Sequence, residues 1–159
     1  MSPVTTERPL GDRARAHLIA QGLGRHPATP APDWEPNLTP LWVDLEQGVP
    51  APGDLKPPNL GTDSVIGINT TPGVPSREHE TELRVDALEF VIRARTRPRV
   101  GALYSALRRE FDDRRGWVLD GLWMSLTKEF RALQPSAQGG GVYTYTTEYT
   151  FEFRSYDLA

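Results

Sequence analysis

Tyr143-Thr144-Tyr145-Thr146-Thr147-Glu148-Tyr149-Thr150-Phe151-Glu152-Phe153-Arg154 is the stretch that decides the fold. Tyr143, Tyr145, Thr147, Tyr149, Phe151 and Phe153 share one parity, and Thr144, Thr146, Glu148, Thr150, Glu152 and Arg154 share the other. A period of two predicts a β-strand with an aromatic inner face and a polar outer face. It also pins the register, because a one-residue slip would turn every aromatic outward.

Upstream, Gly139-Gly140-Gly141 reads as a turn, and residues 122–130 read as the preceding strand, with Leu122, Met124 and Leu126 on one face. Further back, Leu88, Phe90, Ile92 and Ala94 alternate with Glu89, Val91, Arg93 and Arg95, which is a half-buried strand. Thr96 then offers a helix cap and Pro98 a first-turn proline. Val100, Leu103, Tyr104, Leu107 and Phe111 follow at helical spacing, so an amphipathic helix is expected over residues 98–113, ending at Gly116. Arg108, Arg109, Arg114 and Arg115 lie on its polar side or just past it. The predicted core is Phe90, Ile92, Leu103, Leu107, Phe111, Tyr145, Tyr149 and Phe151.

The N-terminal half reads differently. The chain has 15 prolines, most of them between Pro27 and Pro75, and after Pro98 only Pro135 follows. Before that region, Ala16, Ile19, Ala20 and Leu23, flanked by Leu18, predict a short helix over residues 12–23, with Asp12 as cap and Gly22 or Gly24 as stop. The run from Ala28 to Pro32 favours an extended chain. Short strands are expected over residues 41–45 and 64–69, with a long loop over 46–63 and a charged loop over 76–82. The whole is one domain of α+β class: a loop-rich region over 26–82, then a strand-helix-strand-strand core over 87–154. The expected architecture is a mostly antiparallel sheet packed on one face by two helices.

At 159 residues a core can form without staples, and the absence of cysteine excludes disulfides, thiolate metal sites and a cysteine nucleophile. A net charge of -3 gives no global basic field for nucleic acid. The first residues lack a signal-peptide layout, and no apolar run approaches the ~20 residues of a membrane span. The expectation is therefore a soluble protein made in a cytoplasm, with no membrane partner. His17, His26 and His79 have no metal-ligand spacing, and no serine sits in a nucleophile elbow. Asp112-Asp113 reads as a solvated helix end rather than a catalytic pair, because adjacent helical residues diverge and arginines surround them. Glu148 and Glu152 read as routine outer-face residues. The glycine triplet is no phosphate loop, since a strand and not a helix follows it. The aromatic strand lacks the glycine-aromatic signature of an RNA-recognition sheet.

Phe90-Val91-Ile92-Arg93-Ala94-Arg95, the helix with Ala102-Leu103-Tyr104-Ser105-Ala106-Leu107, the strand over 122–130, the glycine turn and Tyr149-Thr150-Phe151-Glu152-Phe153-Arg154 come in an order that resembles the tail-terminator proteins of long-tailed bacteriophages, also called minor capsid or minor tail proteins. The early helix closing on Gly22-Leu23-Gly24 and the strand Leu41-Trp42-Val43 suit that layout. The long proline-rich stretch and the charged stretch that follows it depart from it. The resemblance implies a structural virion protein in the tail neck, without catalytic residues, metal or cofactor. It implies a homo-oligomeric ring, typically six-fold, that caps the head-proximal end of the tail tube and joins the head. The implied partners are further copies of the chain, the tail tube protein and a head-completion or connector protein. DNA passes through such a ring without sequence-specific recognition. Arg93, Arg95, Arg108, Arg109, Leu55, Lys56, Gly139 and Gly140 are the candidate assembly contacts, with loops 46–63 and 134–141 as the reaching segments. A head-completion or connector protein of the same virion is the alternative, followed by a small α+β enzyme or a nucleic-acid-binding domain.

Overall fold

The computed structural model describes residues 9–44, 55, 62–70, 77–78, 83–138 and 141–154. In chain order the elements are α1 (Leu10–Ala20), β1 (Leu41–Val43), β2 (Ser64–Thr70), β3 (Arg77–Glu78), β4 (Leu83–Ala94), α2 (Arg97–Phe111), β5 (Arg114–Leu119), β6 (Leu122–Gln138) and β7 (Val142–Arg154). They form one sheet in the order β1-β2-β4-β7-β6-β5, with β3 paired to β4. Only β1 and β2 run parallel; the other pairings are antiparallel. The class is α+β, as the periodicities predict.

The inner face carries a continuous core. Leu88, Phe90, Ile92 and Ala94 of β4 lie beside Tyr149, Phe151 and Phe153 of β7, covered by Val100, Leu103, Leu107 and Phe111 of α2. Phe111 is the hub, with its ring 5.5 Å from Phe90, 5.9 Å from Tyr149 and 5.6 Å from Phe151. Seven of the eight predicted core residues are buried there; Tyr145 sits at the rim, half-buried, stacked on Tyr104 at 4.2 Å. α1 adds Ala14 and Leu18 to the same core. It packs against β1 and β2 at one side of the sheet and against β5 at the opposite edge. The sheet therefore curls around its helical layer.

α2 starts where expected, with Thr96 Oγ1 accepting the Arg99 N–H at 3.3 Å. It ends at Phe111, earlier than Gly116, because Asp113 turns left-handed at φ 50 and starts a strand that the periodicity did not predict. That strand, β5, returns into β6 through Asp120-Gly121, whose positive φ values of 45 and 84 make the tight turn of a two-residue hairpin. Gly116 lies inside β5, at φ 57.

β6 is longer than the expected 122–130 and reaches Gln138, so most of the anticipated loop over 134–141 is strand. A register shift between Met124 and Leu126 places Leu126 opposite Glu152, and Thr127 opposite Phe151. The single parity expected for Leu122, Met124 and Leu126 therefore breaks: the first two are core, while Thr127 takes the next inner position and donates to the Phe111 carbonyl. β4 begins at Leu83, and the charged loop over 76–82 contains β3. The strand expected over 41–45 ends at Val43, and Leu45 lies outside the described residues.

The buried face of α1 also differs from expectation. It consists of Gly11, Arg13, Ala14, His17 and Leu18, while Ile19 is exposed. Asp12 is in the first turn rather than the cap, and the helix stops before residue 23. Two polar residues face inward because tertiary partners reach them: Arg13 Nη1 donates to the Asp120 carbonyl at 2.7 Å, and His17 meets Glu110. Gly22 does end the helix: at φ 74 it lets the Leu23 N–H reach the Leu18 carbonyl at 2.9 Å. No described helix is long and apolar enough to cross a membrane.

Candidate assembly surface

The proline-rich segment over 25–40 is irregular but tied down. The Arg25 guanidinium donates to the carbonyls of Leu38 (3.0 Å) and Thr29 (2.8 Å), and Arg99 Nη2 donates to the Asn37 carbonyl at 2.8 Å. Within it, the Glu35 N–H meets the Pro32 carbonyl and the Leu38 N–H meets the Glu35 carbonyl, giving consecutive turns. These turns hold the Trp34 side chain 81% exposed between Asp33 and Glu35. A second exposed apolar site is the β5–β6 hairpin, where Val118 and Trp123 face each other across the strands and stand 53% and 48% exposed. The Trp123 ring lies over Gly116, where a β-carbon would sit 3.5 Å from it.

The segment that carries Trp34 is tied to the N-terminal end of α2 through the Arg99–Asn37 contact, whereas β5 follows its C-terminal end. A 15-residue helix separates such ends by roughly 22 Å. These two sites, the most exposed of the large apolar side chains among the described residues, thus belong to opposite ends of the subunit.

Between them, a polar network that the sequence did not suggest locks α2 to the sheet. Tyr104 Oη donates to Glu129 at 2.8–3.0 Å, and Thr147 Oγ1 donates to Glu129 Oε2 at 2.6 Å. The Glu129 N–H donates to Asp112 Oδ1 at 3.0 Å, and Arg108 meets Asp112 Oδ2 at 3.0 Å. Burial, the hydrogen bond to Glu129 and contact with Tyr145 push the Tyr104 hydroxyl well above its usual range. Burial likewise raises Tyr149, with the Glu129 charge adding to it. Burial alone would raise the Asp112 carboxyl, but the Glu129 N–H and the Arg108 guanidinium together hold it low. Both Glu129 oxygens accept hydrogen bonds, so the cluster fastens helix to strand. Among the described residues no group of three histidine, aspartate or glutamate side chains is placed to hold a metal. Asp113 points away from Asp112, toward Arg115 at 3.7 Å.

The candidate contact residues do not form one patch. Arg93 belongs to the outer face of the sheet, opposite the helices, and Arg95 follows at the end of β4, its N–H bonded to the Asp63 carbonyl at 3.0 Å. Arg108 and Arg109 are exposed on α2. Leu55 is 2% exposed, packed with Val65, Val142 and Trp42 against the outer face, so its apolar side chain is already used by its own fold. Lys56, Gly139 and Gly140, most of the loop over 46–63, and His79 lie outside the described residues. Glu148 is buried rather than a routine surface residue, and Arg131 reaches over to pair with it. The exposure of Trp34 and of the Val118–Trp123 pair is not anticipated by the sequence reading, although an isolated tryptophan among prolines and the Asp-Gly turn are both visible signals.

No family model matches the chain, and no curated protein matches its sequence. Among solved structures, one chain of the virion of a native gene transfer agent particle shares the fold at a TM-score of 0.54 and 12% identity. The match covers 98% of this chain and 100% of that one.

Proposed function

We propose that this chain is a structural component of a phage-like virion and, more finely, a tail-terminator subunit. In this reading copies close head to tail into a ring that caps the head-proximal end of the tail tube, stops tube growth and presents the joining surface for the head. The observation that carries it is the likeness to a virion chain along the full length of both molecules. Fold likeness at this identity concerns architecture alone, so the role draws on the surfaces as well. Head-to-tail closure needs two unlike surfaces on separated parts of one subunit. Trp34 at one end of α2 and the Val118–Trp123 pair at the other are such surfaces, and the Glu129 network keeps the plate between them rigid.

The test is electron microscopy of particles made without this protein. Loss of a terminator leaves overlong or irregular tails and unjoined heads. Finished free tails of normal length would instead favour a head-completion or connector role. Particles of normal form would end the virion reading.

A further inference from the structure

The outer face of the sheet, away from the helices, contains an arginine whose buried Nε has no acceptor. Arg93 is on β4, with Val65 of β2 and Thr144 of β7 as its cross-strand neighbours. Its Nε is buried and without a hydrogen-bond partner, and no ion pair reaches its guanidinium among the described residues. The other two arginines with an orphaned buried Nε differ from it. Arg13 donates through Nη1 to Asp120, and Arg99 lies 3.6 Å from Asp63. Of the acidic residues of this parity, Asp63 stands beside Arg95 one pleat away and is turned to Arg99 at 3.6 Å, while Glu89 and Glu148 form the cross-strand pair two pleats away on the other side, with Glu148 held by Arg131.

Two more orphaned polar atoms lie on the same face. Thr144 is nine-tenths buried, and its Oγ1 lacks a partner. Trp42 packs on the small cluster of Leu55, Val65 and Val142, and its buried Nε1–H also lacks a partner. Val65 is directly across from Arg93, and Val142 is the next residue of its parity before Thr144, so the cluster forms an apolar wall beside the guanidinium. Between Trp42 and Val91 the sheet carries Gly67, which leaves this position without a side chain. A half-buried guanidinium, a hydroxyl and an indole N–H without acceptors, grouped on one face, form a donor set with its acceptor missing.

We propose that Arg93, Thr144 and Trp42 form a binding site for a carboxylate, supplied by an acidic side chain of a protein partner. The orphaned Nε–H and an adjacent Nη–H make the side-on fork that takes both oxygens of a carboxylate. The Thr144 hydroxyl and the Trp42 N–H then serve the remaining lone pairs, of which an ionised carboxylate has about four. The apolar wall fits the methylene stem of aspartate or glutamate and excludes the water that would otherwise screen the pair. The site is independent of the tail-terminator reading and stands or falls without it.

The test uses the full-length chain labelled with nitrogen-15, observing the side-chain N–H signals of Arg93 and Trp42. Sodium acetate is titrated at constant ionic strength against sodium chloride, with sodium phosphate as a second arm. Both signals are expected to shift together and saturably at millimolar acetate, with no such response to chloride. Thr144→Val should weaken the response several-fold and Arg93→Gln should abolish it at Trp42. If Arg93→Gln fails to fold, the wild-type titration and Thr144→Val decide the matter. A linear response equal to that of chloride would overturn the site. Tighter saturation by phosphate than by acetate would overturn the carboxylate assignment.

Discussion

His17 Nε2 and Glu110 Oε1 stand 2.7 Å apart, although 93 residues separate them in the chain. The pair joins the last turn of α1 to the last turn of α2, and Arg114 braces the same carboxylate at 3.4 Å. The His17 ring also packs edge-on against Trp117 at 5.1 Å. His17→Ala should therefore remove a hydrogen bond and a ring contact together, costing about 1–3 kcal/mol of unfolding free energy. Urea denaturation of His17→Ala, Glu110→Ala and the double variant measures the coupling. Purely additive losses would show that the two side chains do not act as a joint.

The Tyr104 hydroxyl yields a pH prediction. Its folded pKa is raised above the usual value of about 10. A group raised in this way contributes stability that is complete below its unfolded pKa and lost as pH rises through the folded one. Melting temperature should thus fall as pH climbs past about 10. In Tyr104→Phe the decline should be shallower, because one of the linked protons is gone. Tyr149, raised chiefly by burial, supplies the slope that stays behind. Thermal melts in a series of alkaline buffers compare the two proteins, and identical slopes would contradict the assignment.

Phe111 and Phe151 test the core. Both are fully buried, with ring centroids 5.6 Å apart in an edge-to-face arrangement. Phe151→Ala should cost about 3–5 kcal/mol, since it opens a cavity at the centre of β7 where neighbouring rings relax only in part. Thr150→Ala, one residue away on the outer face, should stay within about 0.5 kcal/mol. Guanidinium denaturation of the two variants shows whether the parity read from the final strand governs stability.

That parity was the most legible feature of the chain. β7 and β4 pair residue for residue from Leu83 to Ala94, so each carries an unbroken period of two. Legibility failed wherever a long-range partner replaced local pattern. Arg13 and His17 look like a solvent face until Asp120 and Glu110 arrive from distant strand and helix ends. Glu129 looks like an ordinary strand residue until Tyr104, 25 positions earlier, donates to it. Leu126 fails for another reason, because a bulge moves it to the opposite face and no periodicity encodes that insertion. β5 was hidden by Arg114-Arg115-Gly116, which reads as a helix end, although Asp120-Gly121 marked the hairpin.

The exposed apolar residues supply the last prediction. Trp34 buries little of its own side chain, so Trp34→Ser should change the unfolding free energy by less than about 0.5 kcal/mol. Val118→Ser at the hairpin should behave similarly, because its neighbour Trp123 rests on Gly116 instead. If these ends meet in a head-to-tail contact, each substitution alone should weaken self-association while leaving the circular dichroism spectrum intact. A tryptophan at the centre of an interface can carry about 2 kcal/mol or more, about a thirtyfold loss in affinity, and the smaller Val118 should lose less. Light scattering across a concentration series, with and without isolated tail tubes, reads that loss. Wild-type assembly by both variants would mean that the subunits meet through other surfaces. Weakening by Trp34→Ser alone would mean that this tryptophan docks elsewhere than on the hairpin.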